Sequence, residues 1–149
     1  MSDYKTPMGL SMVSPRFREI VEGFELGVHQ WLPLEVVDAR GRHLSDHFYF
    51  IPCNRIDSVD HDHTTMVLYK GGLWANPKDL ARKDPKLLSP DFDPEQEFKY
   101  VFSETKIAGR HAWRDKHIGT NHILISEELA EALRKEKLTG LSPRKAESV

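Results

Sequence analysis

A change in hydrophobic period near residue 28 constrains the fold of this chain more than any other feature of its sequence. Before it, four apolar residues recur at the three- and four-residue spacing of one helix face: Phe17, Ile20, Val21 and Phe24. Ser14 can cap this helix, and Pro15 is tolerated at its first position. The pattern predicts a short helix that depends on packing its apolar face against another element.

After residue 28 the sequence favours extended chain. Val28–Val37 and His47–Cys53 are rich in the branched and aromatic side chains that are typical of strands. The polar segment 38–42 between them suits a turn, because Gly41 can adopt a positive φ. These segments predict a β-hairpin, and shorter strands are predicted at Met66–Tyr69, Phe98–Phe102 and Asn121–Ile125.

The second half of the chain combines a proline-rich stretch with a clear helix. Four prolines interrupt the polar segment 75–97, which predicts a long loop with one helical turn. Ser126 can cap a helix in which Leu129 and Leu133 lie four residues apart, and Gly140 is placed to end it. Together the elements predict an α+β fold: a mainly antiparallel sheet with an N-terminal helix, a C-terminal helix and a long Pro-rich loop.

Length and composition suggest one domain. The chain has 149 residues, of which 39% are hydrophobic and 30% are charged, a balance typical of globular proteins rather than disordered ones. We therefore expect a single domain over residues 14–141. A loosely ordered arm is predicted over residues 1–13, and a frayed tail over residues 142–149.

Charge and cysteine content argue against several classes of protein. A net charge of −2 disfavours a nucleic-acid partner, which would require a basic surface. No apolar run approaches the roughly 20 residues of a membrane helix, so no membrane partner is expected. The first residues lack the apolar segment of a secretion signal, and the single cysteine, Cys53, excludes an internal disulfide. We expect a cytoplasmic protein.

The sequence Asp60-His61-Asp62-His63 raises the question of a metal site. On a strand, alternation would place His61 and His63 on one face, where two imidazoles and a carboxylate could bind a transition metal. The spacing matches no strong metal motif, and an acidic turn between two strands explains the same residues. We expect neither a metal nor another cofactor, and a small metal-dependent hydrolase that uses residues 60–63 stays as an alternative.

Motifs of nucleotide binding and nucleophilic catalysis are absent from the sequence. The chain contains no P-loop, no dinucleotide fingerprint and no G-x-S-x-G segment. Cys53 follows a proline in a strand-like segment, which favours a packed thiol over a nucleophile. We therefore predict no catalytic residues and a binding protein rather than an enzyme.

Two groups of acidic residues are candidates for contact with a basic partner. Asp57, Asp60 and Asp62 form the first group. The second group is uninterrupted by a basic residue and consists of Asp91, Asp93, Glu95 and Glu97. Such acids can steer association with a basic protein, although a solvated loop face accounts for them as well. Trp31 and Trp74 are candidate aromatic anchors beside this surface, although burial in the core is the favoured interpretation for either residue.

Two blocks of sequence together indicate a family. The first contains Ser14-Pro15-Arg16-Phe17-Arg18-Glu19, Gly27-Val28-His29-Gln30-Trp31-Leu32-Pro33-Leu34-Glu35-Val36 and Asn54-Arg55-Ile56-Asp57. The second contains Lys106-Ile107-Ala108-Gly109, Trp113-Arg114, Ile125-Ser126-Glu127-Glu128-Leu129 and Leu138-Thr139-Gly140-Leu141. In the order and spacing of these segments, from about residue 12 to residue 141, the chain resembles the immunity protein 11 family of bacterial polymorphic toxin systems.

The resemblance implies an immunity-type α+β domain that binds and neutralises a cognate toxin domain encoded by a neighbouring gene. A cytoplasmic antidote implies a toxin that acts in the cytoplasm, such as a nuclease, whose basic substrate channel would suit the two acidic groups. The predicted toxin contacts are Asp57, Asp60, Asp62, Trp74, Asp91, Asp93, Glu95 and Glu97. An adaptor protein with no toxin partner is the remaining alternative.

Overall fold

The described part of the chain is built from short helices and mostly short strands. The computed structural model describes residues 1–87, 90, 92–119 and 122–149. Within them the strands are β1 (Tyr4–Lys5), β2 (Met12–Val13), β3 (Gln30–Val37), β4 (His43–Ile51), β5 (Arg55–Ile56), β6 (Val67–Tyr69), β7 (Leu73–Ala75), β8 (Val101–Phe102), β9 (Ala112–Asp115), β10 (Leu124–Ile125) and β11 (Glu147–Ser148). The α-helices are α1 (Pro15–Phe24), α2 (Pro77–Lys83), α3 (Glu104–Ile107) and α4 (Glu127–Lys135). The α+β prediction is confirmed.

The strands form small, mainly antiparallel sheets. The largest has the order β1-β2-β4-β3, and a three-stranded sheet has the order β10-β9-β5. β6 pairs with β7 in an antiparallel hairpin, whereas β8 and β11 pair in parallel. The predicted, mainly antiparallel character is therefore confirmed, although β8 and β11 pair in parallel.

Contacts divide the chain into two compact units. Unit 1 comprises Met1–Arg55, Gly109–Arg114 and Asn121–Arg144, and unit 2 comprises Ile56–Ala108, Asp115–Thr120 and Lys145–Val149. The segment predicted as an arm contributes β1 and β2, and the segment predicted as a tail contributes β11. A single domain over residues 14–141 stays a prediction.

The core of unit 1 lies between α1, α4 and the inner strands of the four-stranded sheet. Its buried residues are Val13, Phe17, Val21, Phe50, Ala112, Leu129 and Leu133. As predicted, Ser14 caps α1: its hydroxyl accepts a hydrogen bond from the backbone N–H of Phe17 at 3.2 Å. Ser126 caps α4 in the same way, accepting from the backbone N–H of Leu129 at 3.2 Å. Local sequence signals therefore place both helices correctly.

The end of α4 differs from the prediction. The helix ends at Lys135 rather than near Gly140, and Lys137 adopts a positive φ of 54°. Gly140 has a φ of 83° and lies against the N-terminal strand, where an added Cβ would collide with the Ser2 hydroxyl and the Tyr4 carbonyl oxygen. Its role is therefore close backbone approach rather than helix termination.

The predicted hairpin is present as β3 and β4. The backbone N–H of Asp38 bonds to the carbonyl oxygen of Arg42 at 2.9 Å, and Gly41 has the positive φ that the turn requires, 75°. β4 begins at His43, four residues before its predicted start, and the register shifts between Val36 and Val37. The irregularity accommodates one extra residue near the turn.

The proline-rich stretch of unit 2 contains more helix than predicted. α2 runs for seven residues, because the Asn76 side chain accepts a hydrogen bond from the Lys78 N–H at 2.8 Å and Pro77 occupies the first position. Buried Leu80 anchors the helix.

The predicted strands of the second half are shorter than expected or displaced. The predicted strand Phe98–Phe102 is reduced to β8, and Asn121, the predicted start of the next strand, lies outside the described residues. β9, which contains Trp113, was expected to be part of a connection.

Candidate functional site

The segment 57–63, here called the acidic turn, is organised around one carboxylate. Asp60 Oδ1 accepts hydrogen bonds from the backbone N–H groups of Asp62 at 3.1 Å and His63 at 3.0 Å, and from His63 Nδ1 at 2.8 Å. The His63 ring bond is the main reason that the pKa of Asp60 lies below its ordinary value. Residues 61–63 form a turn, which agrees with the acidic-turn interpretation and not with a strand that would place His61 and His63 on one face.

The two histidines of the acidic turn pair with different carboxylates. His61 Nε2 lies 3.3 Å from Asp57 Oδ1, whereas His63 lies against Asp60. The other Asp57 oxygen is 3.6 Å from Lys106 Nζ. In the part of the chain that the structure describes, no three histidine, cysteine or acidic side chains are grouped to hold a metal ion. The geometry gives the metal-dependent hydrolase no support.

The segment 92–98, here called the acidic loop, is closed by two aromatic rings. Phe92 and Phe98 stack with centroids 5.8 Å apart and an interplanar angle of 16°. Between them, Asp93 Oδ1 accepts a hydrogen bond from the Glu95 N–H at 2.8 Å, which fixes the turn. The exposed residues of the loop include Asp93, Glu95 and Glu97. Asp91, the remaining predicted member of this group, lies outside the described residues.

Hydrogen bonds connect Thr65, which follows the acidic turn, to Glu97 and Lys99 at the end of the acidic loop. The backbone N–H of Thr65 donates to the Lys99 carbonyl oxygen at 3.1 Å, and the Lys99 N–H donates to the Thr65 hydroxyl oxygen at 2.7 Å. That hydroxyl in turn donates to the Glu97 carbonyl oxygen at 3.0 Å. Two acidic groups that are far apart in sequence therefore share one hydrogen-bonded scaffold in unit 2.

A buried aspartate outside both groups supports the acidic turn. Asp115 Oδ2 accepts from the Ser58 N–H at 2.6 Å, the Ser58 hydroxyl at 2.7 Å and the Val59 N–H at 3.2 Å. Its other oxygen accepts from the His117 N–H at 2.7 Å. Sequence reasoning missed this residue, since its only local signal is an acid that follows the aromatic–Arg pair Trp113-Arg114.

Trp74 lies beneath the acidic turn rather than on the surface. It is 8% exposed, and the His61 ring packs edge-on against it with centroids 4.9 Å apart. Its backbone N–H donates to the His117 carbonyl oxygen at 2.7 Å, while its buried Nε1 has no hydrogen-bond partner among the described residues. The tryptophan therefore supports the turn, and direct contact with a partner stays a prediction.

The β6–β7 hairpin adds an exposed apolar surface that the sequence did not reveal. In β6 the exposed fractions are 38% for Val67, 43% for Leu68 and 37% for Tyr69, and Leu73 of β7 is 46% exposed. Leu68 pairs with Trp74 across the hairpin. Because Thr65 is only two residues before β6, this hairpin continues directly from the scaffold that carries the acids.

A separate buried polar network in unit 1 uses residues from the segments that carry the family resemblance. His29 Nε2 lies 2.8 Å from Glu25, and its Nδ1 accepts from the Cys53 backbone N–H at 3.2 Å. The amide of Asn54 donates to Glu25 at 3.0 Å. Burial raises the pKa of Glu25, but hydrogen bonds from His29 and from the backbone at His111 and Ala112 outweigh burial and lower it. With both ring nitrogens engaged, His29 is a packing element.

Comparison with known proteins assigns the family. No helix in the described ranges combines the length and apolar character needed to cross a membrane. No curated protein matches the chain. The family model described as the immunity protein family (Imm11) matches residues 1–148, which is almost the entire sequence. The resemblance inferred from the order of the sequence segments is thereby confirmed, and the chain belongs to the immunity protein family (Imm11).

Proposed function

We propose that this protein neutralises a cognate toxin by binding it stoichiometrically, without catalysis, in the cytoplasm. The observation that carries the proposal is the family match over residues 1–148. The toxin is encoded by a neighbouring gene and acts in the cytoplasm of the cell that the immunity protein protects. Binding either covers the toxin's active site or holds the toxin inactive from an adjacent surface.

The acidic turn and the acidic loop are the proposed toxin contacts. Within the described residues, the carboxylates of Asp62 and Glu95 have no hydrogen-bond or ion-pair partner, so they are available to a basic protein. Asp57, Asp60, Asp93 and Glu97 add negative charge on the same scaffold, Asp91 belongs to the same sequence group, and Trp74 supports the turn. Clustered carboxylates accelerate association with a basic surface and restrict partner choice.

A nuclease is the toxin class that this charge favours. The substrate channel of a nuclease must attract phosphates, so it presents lysine and arginine side chains. Carboxylates spaced along an exposed loop can occupy the positions of those phosphates. Protection from an enzyme that turns over many times demands nearly complete occupancy, which implies nanomolar binding, about −12 kcal/mol or stronger. An interface of about 1,600 Å² can provide this affinity.

The deciding experiment is copurification with the toxin domain of the neighbouring gene, carrying an inactivating substitution. A stable one-to-one complex, together with restored growth when active toxin is coexpressed, supports the proposal. The absence of a complex at micromolar concentrations would overturn it. Nuclease activity of the isolated toxin domain, measured on RNA and DNA, tests the toxin class separately.

Charge reversal tests the contact residues. The double variant Asp62→Lys and Glu95→Lys should weaken the complex at least tenfold in low salt. The double variant Glu35→Lys and Glu131→Lys is a matched control, because it makes the same charge change at two exposed positions of unit 1. Equal affinities of the double variant and the control would exclude the two acidic groups as contacts and leave neutralisation itself standing.

A further inference from the structure

We infer that the β6–β7 hairpin is the apolar centre of the toxin-binding surface, and that the toxin presents to it an apolar patch ringed by lysine and arginine. The inference rests on the proposed function and adds the residues that supply binding energy. The observation behind the inference is that every side chain of β6, and Leu73 of β7, is exposed next to the acidic turn and the acidic loop.

The hairpin exposes more apolar surface than its own fold requires. Side chains alternate between the two faces of a strand, so exposure of Val67, Leu68 and Tyr69 in succession means that apolar atoms are open to solvent on both faces of β6. A two-stranded hairpin alone is marginally stable, and exposed apolar patches commonly mark protein contacts. This surface is therefore a candidate for burial by a partner.

Comparison with β3 shows that the open edge of β6 lacks the usual protection. β3 is also an edge strand, but it contains Pro33, the charged Glu35 and a register shift after Val36. Proline, charge and bulges are the features by which proteins prevent unwanted pairing at a sheet edge. β6 has none of them, which is expected of an edge that a specific partner covers.

The opposite side of the hairpin is firmly held. The Trp74 N–H donates to the His117 carbonyl oxygen at 2.7 Å, and His117 Nδ1 donates to the Gly72 carbonyl oxygen at 2.6 Å. The His61 ring packs on Trp74. A hairpin fixed along β7 presents β6 in a defined position, so little conformational entropy is lost when a partner binds.

The acidic groups beside the hairpin indicate the chemistry of the occupant, although Lys70 in the hairpin turn is also exposed. The acidic turn contacts β7 through His61 and Trp74, and the acidic loop is bonded to Thr65, which directly precedes the hairpin. Apolar side chains at the centre and charged groups at the rim are the common arrangement of a protein interface. A complementary partner has an apolar centre and a basic rim, as a surface beside a nuclease channel does.

Substitution of Leu68 tests the inference. In the full-length protein, Leu68→Asp should weaken binding to the inactivated toxin domain at least tenfold, and Leu68→Ala about threefold to tenfold. Leu32→Asp is the matched control, because Leu32 is a leucine of the other edge strand with a similar exposed fraction, 51%. The affinity of Leu32→Asp for the toxin domain should stay within twofold of the wild-type value. Thermal melting of each variant establishes that it is folded.

Salt dependence and hydrogen exchange separate the possible outcomes. Glu95→Gln should weaken binding in low salt but not in high salt, whereas Leu68→Ala should weaken binding equally in both, since only the first substitution changes a charge. Amide exchange at residues 66–75 should slow on toxin binding in the unmodified protein.

Unchanged amide exchange at residues 66–75, or equal losses of affinity for Leu32→Asp and Leu68→Asp, would overturn the inference. The proposed function would stand in that case, because the wild-type protein still forms the complex. A wild-type protein that forms no complex overturns both, and a self-associated wild type dispersed by Leu68→Asp would assign the hairpin to a second copy of this chain.

Discussion

Two antiparallel hairpins, β3–β4 in unit 1 and β6–β7 in unit 2, differ in what covers them. Helix α1 packs on one face of β3–β4, where Phe17 meets Phe50 at 5.6 Å and the Arg18 guanidinium lies 4.8 Å from the Phe48 ring centroid. In β6–β7, by contrast, only Trp74 is buried and all of β6 is exposed. The hairpin of unit 1 therefore contributes buried residues to the core, although its Leu32, Val37 and Leu44 are exposed, whereas β6 contributes no buried residue.

Under the proposed function, this difference separates the residues that stabilise the fold from those that bind the toxin. The buried contacts of unit 1 involve segments that carry the family resemblance, such as the cap of α1 and the Glu25–His29 network. The exposed acids and apolar side chains of unit 2 make few such contacts, so they are free to vary with the partner. Substitutions in the two hairpins should therefore have opposite effects on stability and binding.

The largest expected effect contrasts Phe50→Ala with Leu68→Ala. Phe50 is buried against Phe17, Trp31 and His29, so its truncation should cost about 3–5 kcal/mol of unfolding free energy. Leu68 is largely exposed, and its truncation should cost under about 1 kcal/mol. Urea unfolding monitored by circular dichroism measures both. Similar losses of unfolding free energy in the two variants would contradict the difference in stability contribution between the two hairpins.

Asp115 should prove as important to unit 2 as Phe50 is to unit 1. Asp115→Ala leaves the buried N–H groups of Ser58 and Val59 without their acceptor, which should cost about 3 kcal/mol. Asp62→Ala removes a carboxylate with no described partner and should change stability by about 0.5 kcal/mol or less. Urea midpoints give the two values, and faster amide exchange at residues 58 and 59 in Asp115→Ala would localise the damage. A small loss of unfolding free energy in Asp115→Ala would contradict the role of Asp115 in supporting the acidic turn.

Glycine substitutions sharpen the view of unit 1. Gly41 and Gly140 both have a positive φ, but an added Cβ meets nothing near Gly41 and collides with the N-terminal strand at Gly140. Gly41→Ala should cost about 1 kcal/mol of backbone strain, and Gly140→Ala should cost about 2 kcal/mol more. The difference between their melting temperatures measures the contact of residue 140 with β1. Equal melting temperatures would show that β1 moves to accommodate the added methyl group with no loss of stability.

The smallest expected effect is a pH dependence from Glu25. Its pKa is lowered in the folded state, so its contribution to stability is present above the ordinary carboxylate range and is lost as the pH falls through the folded pKa. The stability advantage of wild type over Glu25→Gln should therefore shrink below about pH 4. Glu35→Gln, at an exposed position of β3, is the control and should track wild type. Urea midpoints at neutral and acid pH test this, and a difference that grows in acid would contradict the assignment.

Local signals determined how much of the fold could be predicted. Serine caps and an apolar stripe identify α1 and α4, because both signals lie within a few residues of the helix start. β9 and β11 were missed, since strands of two to four residues are defined by distant partners rather than by periodicity. The helix α2 was underestimated because its prolines suggested a loop, although Pro77 falls at the one helical position that favours it.

The candidate site was predictable in composition but not in arrangement. The acidic residues stand out in the sequence, whereas their common scaffold depends on bonds such as those between Thr65 and Lys99, 34 residues apart. Asp115 is 57 residues from Ser58, so no local pattern connects the two. The exposure of β6 was equally hidden, because Val67, Leu68 and Tyr69 resemble any buried strand in sequence.

The division of the chain has a genetic consequence. All of the proposed contact residues lie within one uninterrupted segment of unit 2, Ile56–Ala108, whereas Asp115 is encoded outside it. Within this segment, Asp115 accepts from two backbone N–H groups, which any replacement sequence without proline at those positions supplies. A double recombination event would therefore exchange the whole proposed toxin-binding surface as one segment, and Asp115 would still be present as its buried acceptor. Under the proposed function, toxin specificity would then change in a single inheritance step, with every residue of unit 1 unaltered.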